Sequence, residues 1–293
     1  MKVSKICVLG SGWMGRQIAQ HAAQCGYEVT FIGQRRDPKI IQEGLDFIRG
    51  NLQKFYLDKG KMAPEEMEAV LGRIKCCTDL GEAVKGVQVV IENVLEDLEL
   101  KQRVFKELDE LCAPETILAS DSSGLMITGI GNLSKRQDKV VGMHFFNPVA
   151  LMNLIEIVRG VKTSDETIET IKELSTSFGK DTIVINDSPG YVVSRLFMVL
   201  VNEAAKLVYE DVCSPEDVDK GCHLGLGHAM GPLMACDIGN GIAHGPLALA
   251  YMREHLGDEY RACPLITKLH LAGEYGVSIG KGFFKHPAKT ANS

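Results

Sequence analysis

A histidine and a glutamate on two neighbouring apolar runs are the residues of this chain best suited to proton transfer. His144 ends the run Val140–Met143 at a turn, where side chains of α/β sheets reach the ligand crevice. Glu156 lies in the run Leu154–Val158, which is otherwise apolar, so an unpaired carboxylate would be costly there. A lone histidine is more often structural. This context instead predicts a dyad, a general base whose imidazolium is stabilised as it forms.

A glycine-rich turn near the start of the chain has the spacing of a dinucleotide-binding loop. It follows a short apolar strand, opens a helix and reads Gly10-Ser11-Gly12-Trp13-Met14-Gly15. The first glycine permits a tight turn, the second lets a pyrophosphate approach the backbone, and the third lets helix and strand pack closely. The free N–H groups at the helix N-terminus would face the phosphates. A purely structural glycine turn is the minority interpretation in this context.

The end of the second strand indicates which form of the cofactor would bind. An NAD site usually places an acidic residue there to bind the adenosine ribose. This chain has Gly33, which removes the carboxylate that would repel a 2′-phosphate, followed by Arg35 and Arg36, whose guanidinium groups could bind one. The alternative is that both arginines are solvated, with Asp37 beside them. The pattern favours NADP over NAD.

A polar loop directly follows another buried strand. It reads Ala119-Ser120-Asp121-Ser122-Ser123-Gly124-Leu125. Hydroxyls and backbone donors at a strand end could bind a polar substrate, but serine and aspartate are also common helix caps. From this segment alone, an ordinary loop is the better interpretation.

Alternating strands and helices must position these residues. Strands and helices alternate along the first half of the chain: strands at Ile6–Leu9, Glu28–Ile32, Val87–Ile91 and Ile117–Ala119, helices at Gly15–Cys25 and Leu98–Leu111, and two helices between Pro38 and Arg73. Apolar strands alternating with helices predict a mostly parallel sheet covered on both faces, an α/β fold.

The pattern changes after Asp187, where helical segments alternate with glycine-rich turns. Tyr191–Tyr209 predicts one long helix, and Ser214 with the following proline and acids begins another. We therefore expect a dinucleotide-binding domain over residues 1–187 and an all-α domain over residues 188–293.

Composition narrows the class of function. Hydrophobic residues make up 45% of the 293 residues and charged residues 24%, which excludes a disordered chain or a rod. The net charge of −6 and the lack of basic runs longer than two residues argue against nucleic-acid binding. No apolar stretch is long enough to span a bilayer, so no membrane association is expected.

The spacing of the cysteines and the N-terminal residues indicate the cellular compartment. The nine cysteines are scattered, with no C-x-x-C pair and no metal-ligand spacing, so neither disulfides nor a metal site are expected. The N-terminus enters a strand without the apolar region and cleavage site of a signal peptide. These features favour a cytoplasmic protein with reduced cysteines.

The whole chain resembles the L-3-hydroxyacyl-CoA dehydrogenases, including the bacterial 3-hydroxybutyryl-CoA dehydrogenases. The most specific segment is His144-Phe145-Phe146-Asn147-Pro148 with Glu156, and the glycine turn is less specific. Further matching segments are Ile91-Glu92 with Glu96, Ile117–Leu125, Gly142–Glu156, Asp187–Leu196, Met230-Gly231-Pro232 and Gly280-Lys281-Gly282-Phe283. The resemblance implies a Rossmann-like N-terminal domain, a helical C-terminal domain that dimerises, and an active site in the cleft between them.

Residue by residue, the resemblance implies catalytic roles. His144 is similar to the family's general base, Glu156 to its orienting acid and Ser123 to a serine that hydrogen-bonds the substrate. Ser194 occupies the position of a substrate-contacting asparagine, and it has a shorter reach and one polar group fewer.

The resemblance also implies contacts with the cofactor. Asn147 is similar to an asparagine beside the nicotinamide, and Glu96 and Lys101 are similar to residues near the cofactor. This chain departs from the pattern at Gly33, where aspartate is usual, and at Asp121, where asparagine is usual. Further departures are Gly124, Asn153 and Ser278.

The expected activity is hydride exchange between an NAD(P) cofactor and C3 of a short-chain 3-hydroxyacyl-CoA, a reaction of fatty acid metabolism, in a cytoplasmic homodimer. Two alternatives stay open. One is a dehydrogenase of a 3-hydroxy acid that carries no CoA. The other is a catalytically silent paralogue that binds dinucleotide; Ser194 mildly favours it, whereas His144, Glu156 and Ser123 argue against it.

Overall fold

The structure, a computed structural model, describes residues 2–287. The chain divides between Ser188 and Pro189 into two compact units. The first unit contains eight strands: β1 Lys5–Leu9, β2 Glu28–Ile32, β3 Ile74–Cys76, β4 Val89–Glu92, β5 Ile117–Ser120, β6 Val140–His144, β7 Leu154–Arg159 and β8 Asp181–Asn186. Its α-helices are α1 Trp13–Gln24, α2 Pro38–Leu52, α3 Pro64–Gly72, α4 Leu80–Ala83, α5 Leu98–Leu111, α6 Ile127–Ile130 and α7 Asp165–Ser177.

The strands form one sheet in the order β3-β2-β1-β4-β5-β6-β7-β8. The pairs among β1–β6 are parallel, β7 pairs antiparallel with β6, and β8 is parallel to β7. The expected α/β fold with a mostly parallel sheet is confirmed. The chain adds strands on one side of β1 and then, from β4, on the other side. The carboxyl ends of β1 and β4 therefore border a switch point, where α/β sheets bind ligands.

Most of the expected elements agree with the structure to within one or two residues. Helix α1 begins at Trp13 because Gly12 is extended and ends the preceding turn. Helix α2 begins after Asp37, whose carboxylate accepts a hydrogen bond from the backbone N–H of Lys39 at 2.9 Å. It continues through a π-helical turn at Gln53–Leu57 and ends before the break at Gly60. Apolar residues of β1, β2, α1 and α2 form the core beneath these elements.

The second unit is helical, as expected. Its helices are α8 Val193–Tyr209, α9 Pro215–Leu226, α10 Pro232–Ile238, α11 Gly241–Leu256 and α12 Pro264–Leu271. Helix α8 begins two residues later than expected, because Gly190 and Tyr191 both have positive φ and form a turn. Ser214 caps α9 through the N–H of Asp217, as its position before Pro215 predicts.

A buried carboxylate organises the end of this unit. Asp237 is fully buried and accepts hydrogen bonds from the backbone N–H groups of Phe283 and Phe284, both at 3.0 Å. Its Oδ2 also lies 2.7 Å from Nε2 of His286. The Asp237 carboxylate therefore holds the segment from Phe283, the last residue of the Gly280–Phe283 motif, to His286 against α10. Among the described residues, no helix combines the length and the apolar character needed to cross a membrane.

Candidate active site

The expected dyad is present at the end of β6. The antiparallel register places His144 directly opposite Glu156, and Nδ1 of His144 lies 2.7 Å from Oε2 of Glu156. Both side chains are buried, and the Phe146 ring lies 4.5 Å from the imidazole, centroid to centroid. Because an ionised carboxylate only accepts, we assign the Nδ1 proton to this bond. The assignment makes Nε2 the nitrogen that can take up a second proton.

A buried lysine lies between two acids at the end of β4. Nζ of Lys101, on α5, donates to Oε1 of Glu92 at 2.8 Å and lies 3.4 Å from Oε2 of Glu96. Burial alone would lower the pKa of Lys101, but the charges of Glu92 and Glu96 raise it above its ordinary value. Lys101 therefore stays charged and neutralises one of the two carboxylates.

Glu92 and Glu96 also hold the polar loop that follows β5. Oε2 of Glu92 accepts from the hydroxyl of Ser120 at 2.7 Å. Oε1 of Glu96 accepts from the hydroxyl of Ser122 at 2.5 Å and from the backbone N–H of Ser123 at 3.0 Å. The side chain of Ser123 is exposed. The loop is thus fixed by the acids of the neighbouring strand end.

Asp121 connects this loop to the dyad. Its Oδ1 accepts from the backbone N–H of Phe145, the residue after His144, at 2.7 Å. Burial raises the pKa of Asp121 well above its ordinary range, and Glu92 and Glu96 raise it further. The Phe145 hydrogen bond and Lys101 oppose the shift only in part. A carboxyl at this position is therefore costly when ionised.

The glycine turn has the shape that a pyrophosphate site requires. A Cβ on Gly15 would lie 1.8 Å from the carbonyl oxygen of Gly10, so only glycine allows this close packing of helix and strand. A Cβ on Gly12 would meet no atom within 4 Å, which leaves open space in front of the α1 N-terminus. Met14 is half-buried against the core.

A polar atom at the switch point also fits a dinucleotide. Asn93, directly after β4, packs against Gly10, and its Oδ1 is buried without a hydrogen-bond partner among the described residues. A buried acceptor of this kind is normally satisfied, and a hydroxyl-bearing ligand would supply the donor. The residues around the turn therefore fit a dinucleotide.

The arginines after β2 differ from one another. Both side chains are exposed, but Arg36 forms an ion pair with Glu107 on α5, with 2.5 Å between Nη2 and Oε1. Asp37, the next residue, caps α2. Gly33 is buried, and a Cβ there would lie 2.8 Å from Oγ of Ser11.

Comparisons with known proteins identify the family of this chain. The family model for the NAD-binding domain of 3-hydroxyacyl-CoA dehydrogenase matches residues 5–188, and the model for the C-terminal domain of the same enzyme matches residues 190–286. This chain belongs to the 3-hydroxyacyl-CoA dehydrogenase family.

Individual members are similar over nearly their whole length. A 3-hydroxybutyryl-CoA dehydrogenase of Clostridioides difficile is 38% identical, with 96% of this chain and 99% of the relative covered. The crystal structure of M. tuberculosis FadB2 has a TM-score of 0.93 at 32% identity, covering 98% of this chain and 100% of that one. That of (S)-3-hydroxybutyryl-CoA dehydrogenase from Ralstonia eutropha has a TM-score of 0.91 at 32% identity, with the same coverage.

The site of this family member includes residues that the sequence did not single out. Gln17 on α1 donates to the Asn147 side chain, and Lys180 donates to the carbonyls of Val149 and Met152 at 2.5 and 2.9 Å. Glu92, named through the family resemblance, also had a local signal, because it is a charge at the end of an apolar strand. Gln17 and Lys180 had none.

Ser194 lies in the other unit, on the first turn of α8, and is half-buried. The neighbouring Arg195 donates from Nε to the hydroxyl of Tyr260 at 2.8 Å. The role of Ser194 in substrate binding stays a prediction.

Proposed function

We propose that this protein exchanges a hydride between a nicotinamide cofactor and C3 of a short-chain 3-hydroxyacyl-CoA. The observation that carries the proposal is the buried pairing of His144 with Glu156, in a chain whose family is that of 3-hydroxyacyl-CoA dehydrogenases. The short chain is supported by relatives named 3-hydroxybutyryl-CoA dehydrogenase.

His144 is the proton-transfer group. A nicotinamide ring, when bound, supplies the hydride acceptor or donor. In the oxidative direction, Nε2 of His144 removes the proton of the C3 hydroxyl as the C3 carbonyl forms, and in the reductive direction it returns that proton to the alkoxide oxygen. Glu156 holds the ring through Nδ1 and stabilises the imidazolium while it carries the extra proton.

Two further side chains orient the reactants. The exposed Ser123 hydroxyl hydrogen-bonds the substrate, and its backbone is held by Glu96. Asn147 would lie beside a bound nicotinamide and would donate to it through its amide nitrogen. Glu96 and Lys101 act near the cofactor by holding the loop after β5 in place.

NADP(H) is the preferred cofactor. Gly33 leaves no carboxylate to repel a 2′-phosphate, and the exposed Arg35 can bind one. Arg36 contributes less because Glu107 already holds its guanidinium. The matched family model is described as NAD-binding, so this preference would set the chain apart from that description.

The protein acts as a homodimer in the cytoplasm, with the second unit forming the interface. The end of α9 and the following turn are exposed and apolar, with Leu224 at 71%, Leu226 at 66% and Met230 at 46% exposure. An apolar patch of this kind is suited to a second copy of the chain. The scattered cysteines, none of which is in a disulfide, suit a reducing compartment.

The test is oxidation of NADPH and NADH by the purified protein with acetoacetyl-CoA, and in parallel with free acetoacetate. Turnover with the thioester alone supports the proposal. Equal turnover with acetoacetate supports a dehydrogenase that does not require CoA. Dinucleotide binding without turnover of either compound identifies a silent paralogue.

A further inference from the structure

Trp13 connects the glycine turn to the segment that follows the catalytic histidine. It is the only tryptophan of the chain and the first residue of α1. Its indole Nε1 donates to Oδ1 of Asn147 at 2.9 Å, across 134 residues of sequence. The ring is 56% exposed and packs edge-on against Phe47, with 5.4 Å between the centroids. The glycine motif places no demand on this position, so the residue there is available for another role.

A second donor from α1 reaches the same oxygen. Nε2 of Gln17, one turn after Trp13, lies 3.1 Å from Oδ1 of Asn147. Rotating the Gln17 side-chain amide by 180° would break a second hydrogen bond, because Oε1 of Gln17 accepts from the backbone N–H of Val149 at 3.1 Å. Two donors on one face of α1 therefore hold the segment from Asn147 to Val149.

These two bonds determine which end of the Asn147 amide faces outward. An indole N–H donates and never accepts, so Trp13 can bond only to the oxygen of an amide. Both bonds in fact end on Oδ1, and neither uses Nδ2. Rotating the amide by half a turn would bring Nδ2 against two donors. The nitrogen end is consequently turned away from α1.

We propose that Trp13 is a positioning residue that fixes Asn147 so that its amide nitrogen donates to the nicotinamide end of the cofactor. This inference rests on the proposed function, which puts Asn147 beside the nicotinamide. Trp13 then acts on the reacting end of the dinucleotide through Asn147, although it belongs to the loop that binds the pyrophosphate.

The test is the substitution Trp13→Phe, which keeps an aromatic ring against Phe47 and removes the N–H donor. Calorimetry measures the affinity for the preferred reduced cofactor and for the matching ADP-ribose fragment, which lacks nicotinamide. In Trp13→Phe the Asn147 amide is no longer fixed by the indole, and we expect its hydrogen bond to the cofactor to be weakened. Binding of the whole cofactor should then fall by about three- to tenfold, the range for one neutral hydrogen bond, while binding of the fragment should change by less than about twofold. Equal weakening of both ligands would mean that Trp13 only supports the loop, and would overturn the inference.

A double-mutant cycle with Asn147→Ala separates the two proposals. We expect Asn147→Ala to weaken the whole cofactor selectively, and Trp13→Phe to cause no further loss in that background. If Asn147→Ala is selective but Trp13→Phe is not, Asn147 is correctly assigned and the role of Trp13 is wrong. If Asn147→Ala leaves the difference between cofactor and fragment unchanged, the proposed position of Asn147 is wrong, and the inference fails with it.

Discussion

His144 and Glu156 face each other across the antiparallel pair β6–β7, and their side chains meet at 2.7 Å although only twelve residues separate them. Directly opposite residues of an antiparallel pair project to the same face of the sheet. A shift of one residue in register would turn Glu156 to the other face and leave a buried carboxylate without the histidine. Strand pairing, more than loop structure, therefore assembles the dyad.

Glu156→Gln tests the electrostatic part of this relationship. Glutamine keeps an oxygen that accepts from Nδ1 but removes the charge that stabilises the imidazolium. We expect kcat for acetoacetyl-CoA reduction to fall by about tenfold or more, with the far-UV circular dichroism unchanged. Glu166→Gln, the same substitution at an exposed site on α7, is the matched control and should leave kcat unchanged. Full activity of Glu156→Gln would show that the charge is not needed.

Asp121→Asn tests how far the ionised Asp121 carboxylate, beside the dyad, destabilises the folded protein. The pKa of Asp121 is raised in the folded protein, so protonation of its carboxyl stabilises the fold. This stabilisation is complete below the ordinary aspartate pKa of about 3.9 and is lost as pH rises through the raised value. Asparagine keeps the acceptor for the Phe145 N–H and cannot ionise. The Tm of Asp121→Asn should exceed that of the wild type near pH 8, by about 2–4 °C for each kcal/mol gained, and the difference should shrink near pH 4.

Asp181→Asn, on β8, provides the control for this measurement, because the Asp181 side chain is exposed. Its Tm should follow that of the wild type at both pH values. A lower Tm for Asp121→Asn near pH 8 would mean that the ionised carboxylate stabilises the fold, contrary to the raised pKa.

The two arginines after β2 should contribute unequally to NADPH binding. Arg35→Ala removes an exposed guanidinium and should lower kcat/KM for NADPH by about tenfold, with NADH unaffected. Arg36→Ala should have a smaller effect because Arg36 is paired with Glu107. Arg103→Ala, at an exposed position of α5, is the control. A wild-type preference for NADH that neither substitution changes would contradict the NADP assignment.

Gly33→Asp should move the preference toward NADH, but the structure indicates that it needs a second change. The new Cβ would lie 2.8 Å from Oγ of Ser11, which must move or be removed. We therefore expect Ser11→Ala with Gly33→Asp to raise the ratio of kcat/KM for NADH over NADPH further than Gly33→Asp alone. The same ratio measured for Ser11→Ala alone should match that of the wild type. Identical ratios for the single Gly33→Asp and double variants would show that Ser11 does not restrict this position.

The assembly can be tested by light scattering. The wild type should have twice the 32.0 kDa mass of the chain at micromolar concentration. Leu224→Glu combined with Leu226→Glu places two charges in the exposed apolar patch and should shift the mass toward the monomer. Val161→Glu, at an 82% exposed position of the first unit, should not. A wild type that is monomeric at this concentration would contradict the proposed homodimer.

Much of the fold could be predicted from the sequence because apolar periodicity and glycine positions are local signals. Strand β2 and helix α5 have the expected bounds, and Glu156 was correctly expected to need a buried partner. The start of α8 was placed too early because the apolar pattern continues through Tyr191, whose positive φ depends on its surroundings.

Contacts between distant segments were the part that the sequence could not supply. The bond between Trp13 and Asn147 and the ion pair between Arg36 and Glu107 join residues that no periodicity connects. Asp121 was recognised only as a departure from a family pattern. Its raised pKa follows from burial and from the charges of Glu92 and Glu96, which tertiary structure brings close to it.

The most direct test of the central claim is the acetoacetyl-CoA-dependent loss of reduced-nicotinamide absorbance, measured for the wild type and for His144→Ala at saturating cofactor. We expect robust turnover by the wild type and a decrease on the order of 10²–10⁴ in kcat for His144→Ala, while the exposed control His255→Ala retains full activity. Near wild-type turnover by folded His144→Ala, or no turnover by the wild type with acetoacetyl-CoA, would contradict the central claim.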